Sequence, residues 1–110
     1  MDTAKNDIHE KMYMRFCMWV EYNGDGMRAM RNKGRDMVRR HKHPSARYLL
    51  EWLRYDSDTK IVDIGDEFKI NNSWAPIIAR IIKRDIPDLA PHIELRTSIY
   101  DKFELPTIDW

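Results

Sequence analysis

The residues of this chain best suited to chemistry are a row of cations at helical spacing. Arg28, Arg31, Arg35, Arg39 and Lys42 recur every three or four positions, so a helix over residues 27–42 lines them along one side. Lys33 and Arg40 flank that side and Asp36 alone offsets it, whereas a solvated helix ordinarily mixes charges of both signs. Such a face attracts anions, phosphate above all, because each cation that neutralises a phosphate releases a counterion. A plain solvated surface helix is the alternative. Met27, Met30, Gly34, Met37 (or Val38) and His41 fall together on another, apolar side, unless Gly34 breaks the helix in two.

At 110 residues the chain has the length of one domain. A charged fraction of 34% beside 43% hydrophobic residues reads as globular, and no run approaches the roughly 18 to 20 apolar residues of a membrane span. The first seven residues lack the basic-then-apolar order of a secretion signal, and a lone cysteine, Cys17, suits a reducing compartment. A cytoplasmic location and no membrane partner are expected. The formal charge of +1 hides a segregation: residues 27–55 carry nine basic and two acidic side chains, while residues 56–110 carry seven and eleven. The middle block, not the net charge, is therefore informative about partners.

The pattern predicts an all-α domain over residues 1–110, with N-terminal helices in 3–42, a core in about 44–85 and an extension in 86–110. The first helix spans about Thr3 to Glu21. Ile8, Met12, Phe16, Trp19 and Val20 follow helical spacing while Tyr13, Met14, Cys17 and Met18 cover other sides, so this helix is either a central core element or a subunit interface. Asn23-Gly24-Asp25-Gly26 reads as a turn; it lacks the further acids of a calcium loop. Pro44 and Ser45 open a third helix through Tyr55, and Ser57 or Asp58 is placed to cap the next helix. Residues 92–102 favour helix, with a strand as alternative, and the proline-broken Phe103–Trp110 predicts a tail lying on the surface or on a partner.

Between these lies the most specific pattern of the chain. Ile64-Gly65, Phe68 three residues on, Ile70 in a polar turn, then Ala75 and Ile78 suggest two short helices joined tightly, the second capped by Asn72 or Ser73 and carrying Pro76 in its first turn. This order resembles the helix-turn-helix of bacterial and phage DNA-binding proteins, with Lys69 where glycine is usual. The resemblance implies that the helix from Ser73 to Arg84 enters the major groove of double-stranded DNA. Asn71, Asn72, Ser73, Trp74, Ile77 and Arg80 would then face base edges, with asparagine suited to adenine and arginine to guanine. Lys69, Lys83 and Arg84 would hold phosphates together with Arg28, Arg31, Arg35, Arg39 and Lys42.

The function expected on this basis is a small transcriptional regulator, about 20 residues of motif on a compact module that would suit a phage or mobile element. A homodimer on two half-sites is expected with it, and Met12 to Val20 is its candidate interface. The competing reading is a protein-binding adaptor or inhibitor, since Trp74, Pro76, Ile77 and Ile81 would make an apolar exposed stripe. No nucleotide loop, nucleophile elbow or metal-ligand series is present in the sequence; His41 and His43 have no second ligand pair. No enzyme activity, cofactor or metal is expected.

Overall fold

A computed structural model describes residues 3–56 and 58–110, with side chains from Asp7 onward. Ser57, one of the two expected caps, lies outside them. The described residues form four α-helices, α1 (Thr3–Tyr22), α2 (Gly24–Arg39), α3 (Ala46–Tyr55) and α4 (Ala75–Asp85), and no strand. Short 3-10 turns at Asp66–Phe68, Asn72–Trp74, Ala90–His92 and Ile99–Lys102 punctuate the connections. The all-α expectation is met.

The connection from α1 to α2 is a single residue, Asn23, rather than the four-residue turn its composition suggests. Gly24, Asp25 and Gly26 are helical, and Gly26 is where the two helices meet. A Cβ at that position would lie 2.8 Å from Cη2 of Trp19, so only glycine allows α1 and α2 to approach so closely. Asn23 itself is 2% exposed and does not cap α2. Its amide instead exchanges two hydrogen bonds with the backbone of Val62: Nδ2 donates to the Val62 carbonyl at 3.2 Å, and Val62 N–H donates to Oδ1 at 2.6 Å. One buried side chain thereby fixes the path of the long connection between α3 and α4.

α2 runs unbroken through Gly34, which is buried opposite Leu89. It ends in a Schellman arrangement, with the His41 N–H donating to the Val38 carbonyl at 3.0 Å and the Lys42 N–H to the Met37 carbonyl at 2.8 Å. This places His41 at φ 60, a left-handed conformation usually taken by glycine. α3 begins as the sequence predicts: Ser45 accepts a hydrogen bond from the Tyr48 N–H at 3.0 Å, and Ala46, Leu49, Leu50 and Leu53 are buried along one side.

The expected first helix of the helix-turn-helix is not formed. Residues 60–65 are non-helical, Gly65 adopts φ 125, and only Asp66–Phe68 makes a single 3-10 turn. Glycine is required at 65 by backbone conformation and not by a crossing helix, since a Cβ there would meet nothing nearer than a Phe68 ring carbon at 3.6 Å. Competition for the backbone explains the difference. Asp63 accepts from the Gly65 N–H at 2.9 Å, and Asn23 holds Val62; each bond occupies a group that a helix would use.

α4 is the centre of the domain. Ile77, Ile78, Ile81 and Ile82 are wholly buried, and Ala79 and Arg80 nearly so. A helix that is apolar on adjacent sides is driven into the core on all of them. At its start, Trp74 packs edge-on to Phe16 with ring centres 5.5 Å apart and against Trp19 at 5.6 Å. α1 contributes Phe16, Trp19 and Val20 to this core and leaves Met14, Met18 and Tyr22 exposed on its other side. The core-helix reading of α1 therefore holds for half its circumference.

The segment after α4 wraps back over the helices without a long helix of its own. In place of the helix favoured over 92–102, only Ile99–Lys102 turns, closed by a capping box between Ser98 and Asp101. The tail beyond it lies on the surface of α2 and α4, one of the two outcomes expected for it. Arg84 donates to the carbonyls of Leu105 and Pro106, Arg28 to that of Asp109, and Arg31 to that of Trp110.

Candidate nucleic-acid interface

The residues assigned to base readout are almost all turned away from solvent. Trp74 and Ile77 are 0% exposed and Arg80 is 8% exposed. Arg80 spends its guanidinium inside the fold: Nε donates to Asp101 Oδ1 at 2.6 Å, Nη1 to the Pro76 carbonyl at 2.8 Å and Nη2 to the Arg96 carbonyl at 2.6 Å. Asn71 accepts from the Ser73 N–H at 2.8 Å. Asn72 accepts from Arg54 at 3.2 Å and donates to Glu51 at 3.3 Å. Of the six, only Ser73 is exposed. The assignment of Trp74, Ile77 and Arg80 to base edges, and of Trp74 and Ile77 to a protein partner, is therefore corrected: these side chains are core. The four isoleucines of α4 carry the signal, since two of them, Ile77 and Ile81, must be exposed for the motif to work.

The residues assigned to phosphate divide into two groups. Arg28 and Arg31 face the tail; Arg31 also places its guanidinium 5.7 Å from the Trp110 ring centre. Arg35 makes a two-pronged pair with Asp88 at 2.9 and 3.1 Å. Lys83 donates to the carbonyls of Ala90 and Ile93, both at 3.1 Å, Arg84 pairs with Asp85 and the tail, and Lys69 pairs with Asp66 at 3.3 Å. Five of these act within the fold, because the C-terminal half brings its carboxylates and carbonyls over α2 and α4; the Lys69–Asp66 pair is local to one turn and exposed. Spacing along one helix carries no information about that return of the chain.

Arg39 and Lys42 form the other group. Arg39 ends α2 beside Arg40, whereas Lys42 lies past the left-handed His41 and so off the helix expected over residues 27–42; the chain then turns so that Arg47 of α3 comes next, and all four are exposed. Asp36, half-buried, is shared by Arg39 at 3.6 Å and Arg40 at 3.3 Å, and Glu51 lies 3.5 Å from Arg47. These contacts are long and solvent-washed, so they hold the cations weakly. Next to this corner runs a groove of about 540 Å³ between the starts of α3 and α4, lined by His43, Ser45 and Arg47 and by Glu94, Arg96 and Ser98. Arg47 and Arg96 join the corner although no helical period links them to α2; only the fold brings them near.

Cys17 and Tyr13 lie half-buried on α1. Burial pushes the Cys17 thiol up, and burial together with the neighbouring Cys17 pushes the Tyr13 phenol up to about 12. Both stay protonated at neutral pH, as a structural thiol and phenol do. No helix among the described residues is long and apolar enough to cross a membrane. Comparison with protein-family models, with curated proteins and with solved structures finds no significant match for this chain.

Proposed function

We propose that this chain is a small DNA-binding protein that holds the duplex backbone through the corner where α2 meets α3. The observation that carries this reading is the exposure of Arg39, Arg40, Lys42 and Arg47 within nine residues, opposed among the described residues by the weakly engaged Asp36 and Glu51 and by Glu94 in the adjoining groove. Arginine forks and a lysine at such a corner suit phosphate oxygens, and contacts of that kind position a protein on DNA without reading its sequence. Side chains for base readout are not supplied by α4, whose candidates are buried. A regulatory role would then act through occupancy of DNA and not through a helix-turn-helix reading an operator. The exposed Met14, Met18 and Tyr22 on α1, four residues apart, support a second contact there, either a homodimer or the protein partner of an adaptor.

The test is a salt series on a duplex of arbitrary sequence. Wild type should lose affinity steeply with salt, by a slope of about 0.9 per phosphate neutralised. Arg39→Glu with Arg47→Glu should weaken all duplexes alike and reduce that slope. Arg35→Gln, which disturbs only the pair with Asp88, should leave the slope in place. No binding by wild type at low salt, or an unchanged slope in the double variant, would sink the proposal.

A further inference from the structure

Three of the chain's four histidines meet in one place. His41, His43 and His92 line a pocket of about 360 Å³ at the end of α2, together with Lys42 and Val38. The four polar side chains are exposed, and no carboxylate is among the lining residues. Each enters on a fixed backbone. The Schellman turn ties His41 and Lys42 to the last carbonyls of α2, and His43 precedes the buried Pro44, which restricts it to extended conformations. His92 arrives from beyond α4, at the end of the 3-10 turn Ala90–His92. That turn is pinned three times: Leu89 is buried opposite Gly34 of α2, Asp88 pairs with Arg35 of α2, and Lys83 donates to the Ala90 and Ile93 carbonyls on either side of His92.

Charge decides what this pocket can hold. Lys42 is its permanent cation. The acids of the surrounding elements are engaged or lie outside it: Asp36 is shared by Arg39 and Arg40, Asp88 is taken by Arg35, and Glu94 lines the adjoining groove, which has only His43 in common with the pocket. Histidine is the side chain whose ordinary titration falls between about pH 5 and 8, so the lining gains positive charge as pH falls through that range. Among the described residues no three side chains are placed to share one metal ion. The pocket therefore offers donors around a space and not a metal's ligand set.

We infer that this pocket binds a phosphate group through Lys42 and the imidazolium N–H groups of His41, His43 and His92, and that it grips more tightly as pH falls. The inference deepens the proposed function, on which it rests for the source of the phosphate. Lys42 belongs to both the pocket and the basic corner, so a duplex backbone passing the corner supplies the group; a free phosphate ester is the other source of the same chemistry.

Sulfate is the first probe, because it matches phosphate in shape and keeps its charge throughout. It is titrated into the whole protein at constant ionic strength at about pH 6 and about pH 8, following the imidazole C–H resonances. At the lower pH those of His41, His43 and His92, assigned by single replacements with Gln, should move saturably. His9, whose ring packs on Tyr100 with centres 5.6 Å apart, is the internal control and should stay. At the higher pH sulfate should bind about tenfold more weakly. His43→Gln with His92→Gln, its fold checked by circular dichroism, should remove most of that difference. No saturable shift at the lower pH, an equal shift of His9, or equal affinity at the two pH values would each overturn the inference.

A duplex of arbitrary sequence is the second probe, since its phosphodiesters also keep their charge. The slope of affinity against salt should be steeper at the lower pH by about 0.9 for each phosphate gained, and His43→Gln with His92→Gln should erase that gain. A slope indifferent to pH, with sulfate binding intact, would overturn the duplex as the source and leave free phosphate esters. Absence of duplex binding at both pH values, with sulfate binding intact, would sink the DNA reading and leave the pocket standing.

Discussion

Arg80 in the middle of α4 and Asp101 in the last 3-10 turn are joined at 2.6 Å, with Arg80 8% exposed. The pair ties the central helix to the segment that wraps the domain, and two backbone carbonyls complete the arginine's coordination. Removing it strands those acceptors, and a charge-assisted hydrogen bond within a fold is worth about 1.5 to 3 kcal/mol. Arg80→Ala should therefore lower stability by about 2 to 4 kcal/mol in chemical denaturation, more than a solvent-facing arginine costs. Among molecules that remain folded, DNA affinity should be unchanged. A stable variant with relaxed base preference would instead restore Arg80 to the groove.

The aromatic centre makes a second prediction. Trp74 is enclosed by Phe16 and Trp19, whereas Phe68 sits half-buried beside a cleft. Trp74→Ala should cost about 3 to 5 kcal/mol through the cavity it leaves, and Phe68→Ala only about 1 to 2 kcal/mol. Equal losses in thermal or denaturant melts would show that residue 68 carries the core as a helix-turn-helix requires.

Acid should release the tail. Hydrogen bonds from Arg84, aided by the Trp110 indole N–H, hold the Asp85 carboxyl below its usual 3.8 against the opposing effect of burial. A folded value below the unfolded one stabilises fully above the unfolded value, and the contribution is lost as pH falls through the folded one. Fluorescence assigned to Trp110 by a Trp110→Phe comparison should thus change below about pH 4. Asp85→Asn should show the released signal already at neutral pH; an unaltered signal in that variant would place Trp110's anchorage elsewhere.

His41 holds a left-handed backbone at the end of α2 that costs a residue with a Cβ about 1 kcal/mol. His41→Gly should relieve it and raise stability in chemical denaturation by about 0.5 to 1 kcal/mol, net of the freedom glycine adds to the unfolded chain. A loss of stability would mean that the imidazole makes contacts outweighing the strain.

Local chemistry was legible in the sequence because it acts between neighbours. The helical period of Met27, Met30, Gly34 and Met37 marked the side of α2 that is buried, Pro44-Ser45 predicted the start of α3, and Pro76 fell in the first turn of α4 as expected. The cationic row along α2 was equally plain, since residues three and four apart must share a side. What the sequence by itself determined was therefore the all-α class, the extent of most helices and the place where charge collects. Only the tertiary structure decided which of those charges remain available. The tail returns its carbonyls to Arg28, Arg31 and Arg84, Asp88 reaches Arg35 from 53 residues away, and Arg39, Arg40, Lys42 and Arg47 are left facing water. It also decided that Asp63 to Phe68 would not be a helix, because Asn23 claims the backbone of Val62 from a distance no local pattern encodes. Burial of α4 has the same cause: long-range packing chose between two apolar sides that the sequence presented alike.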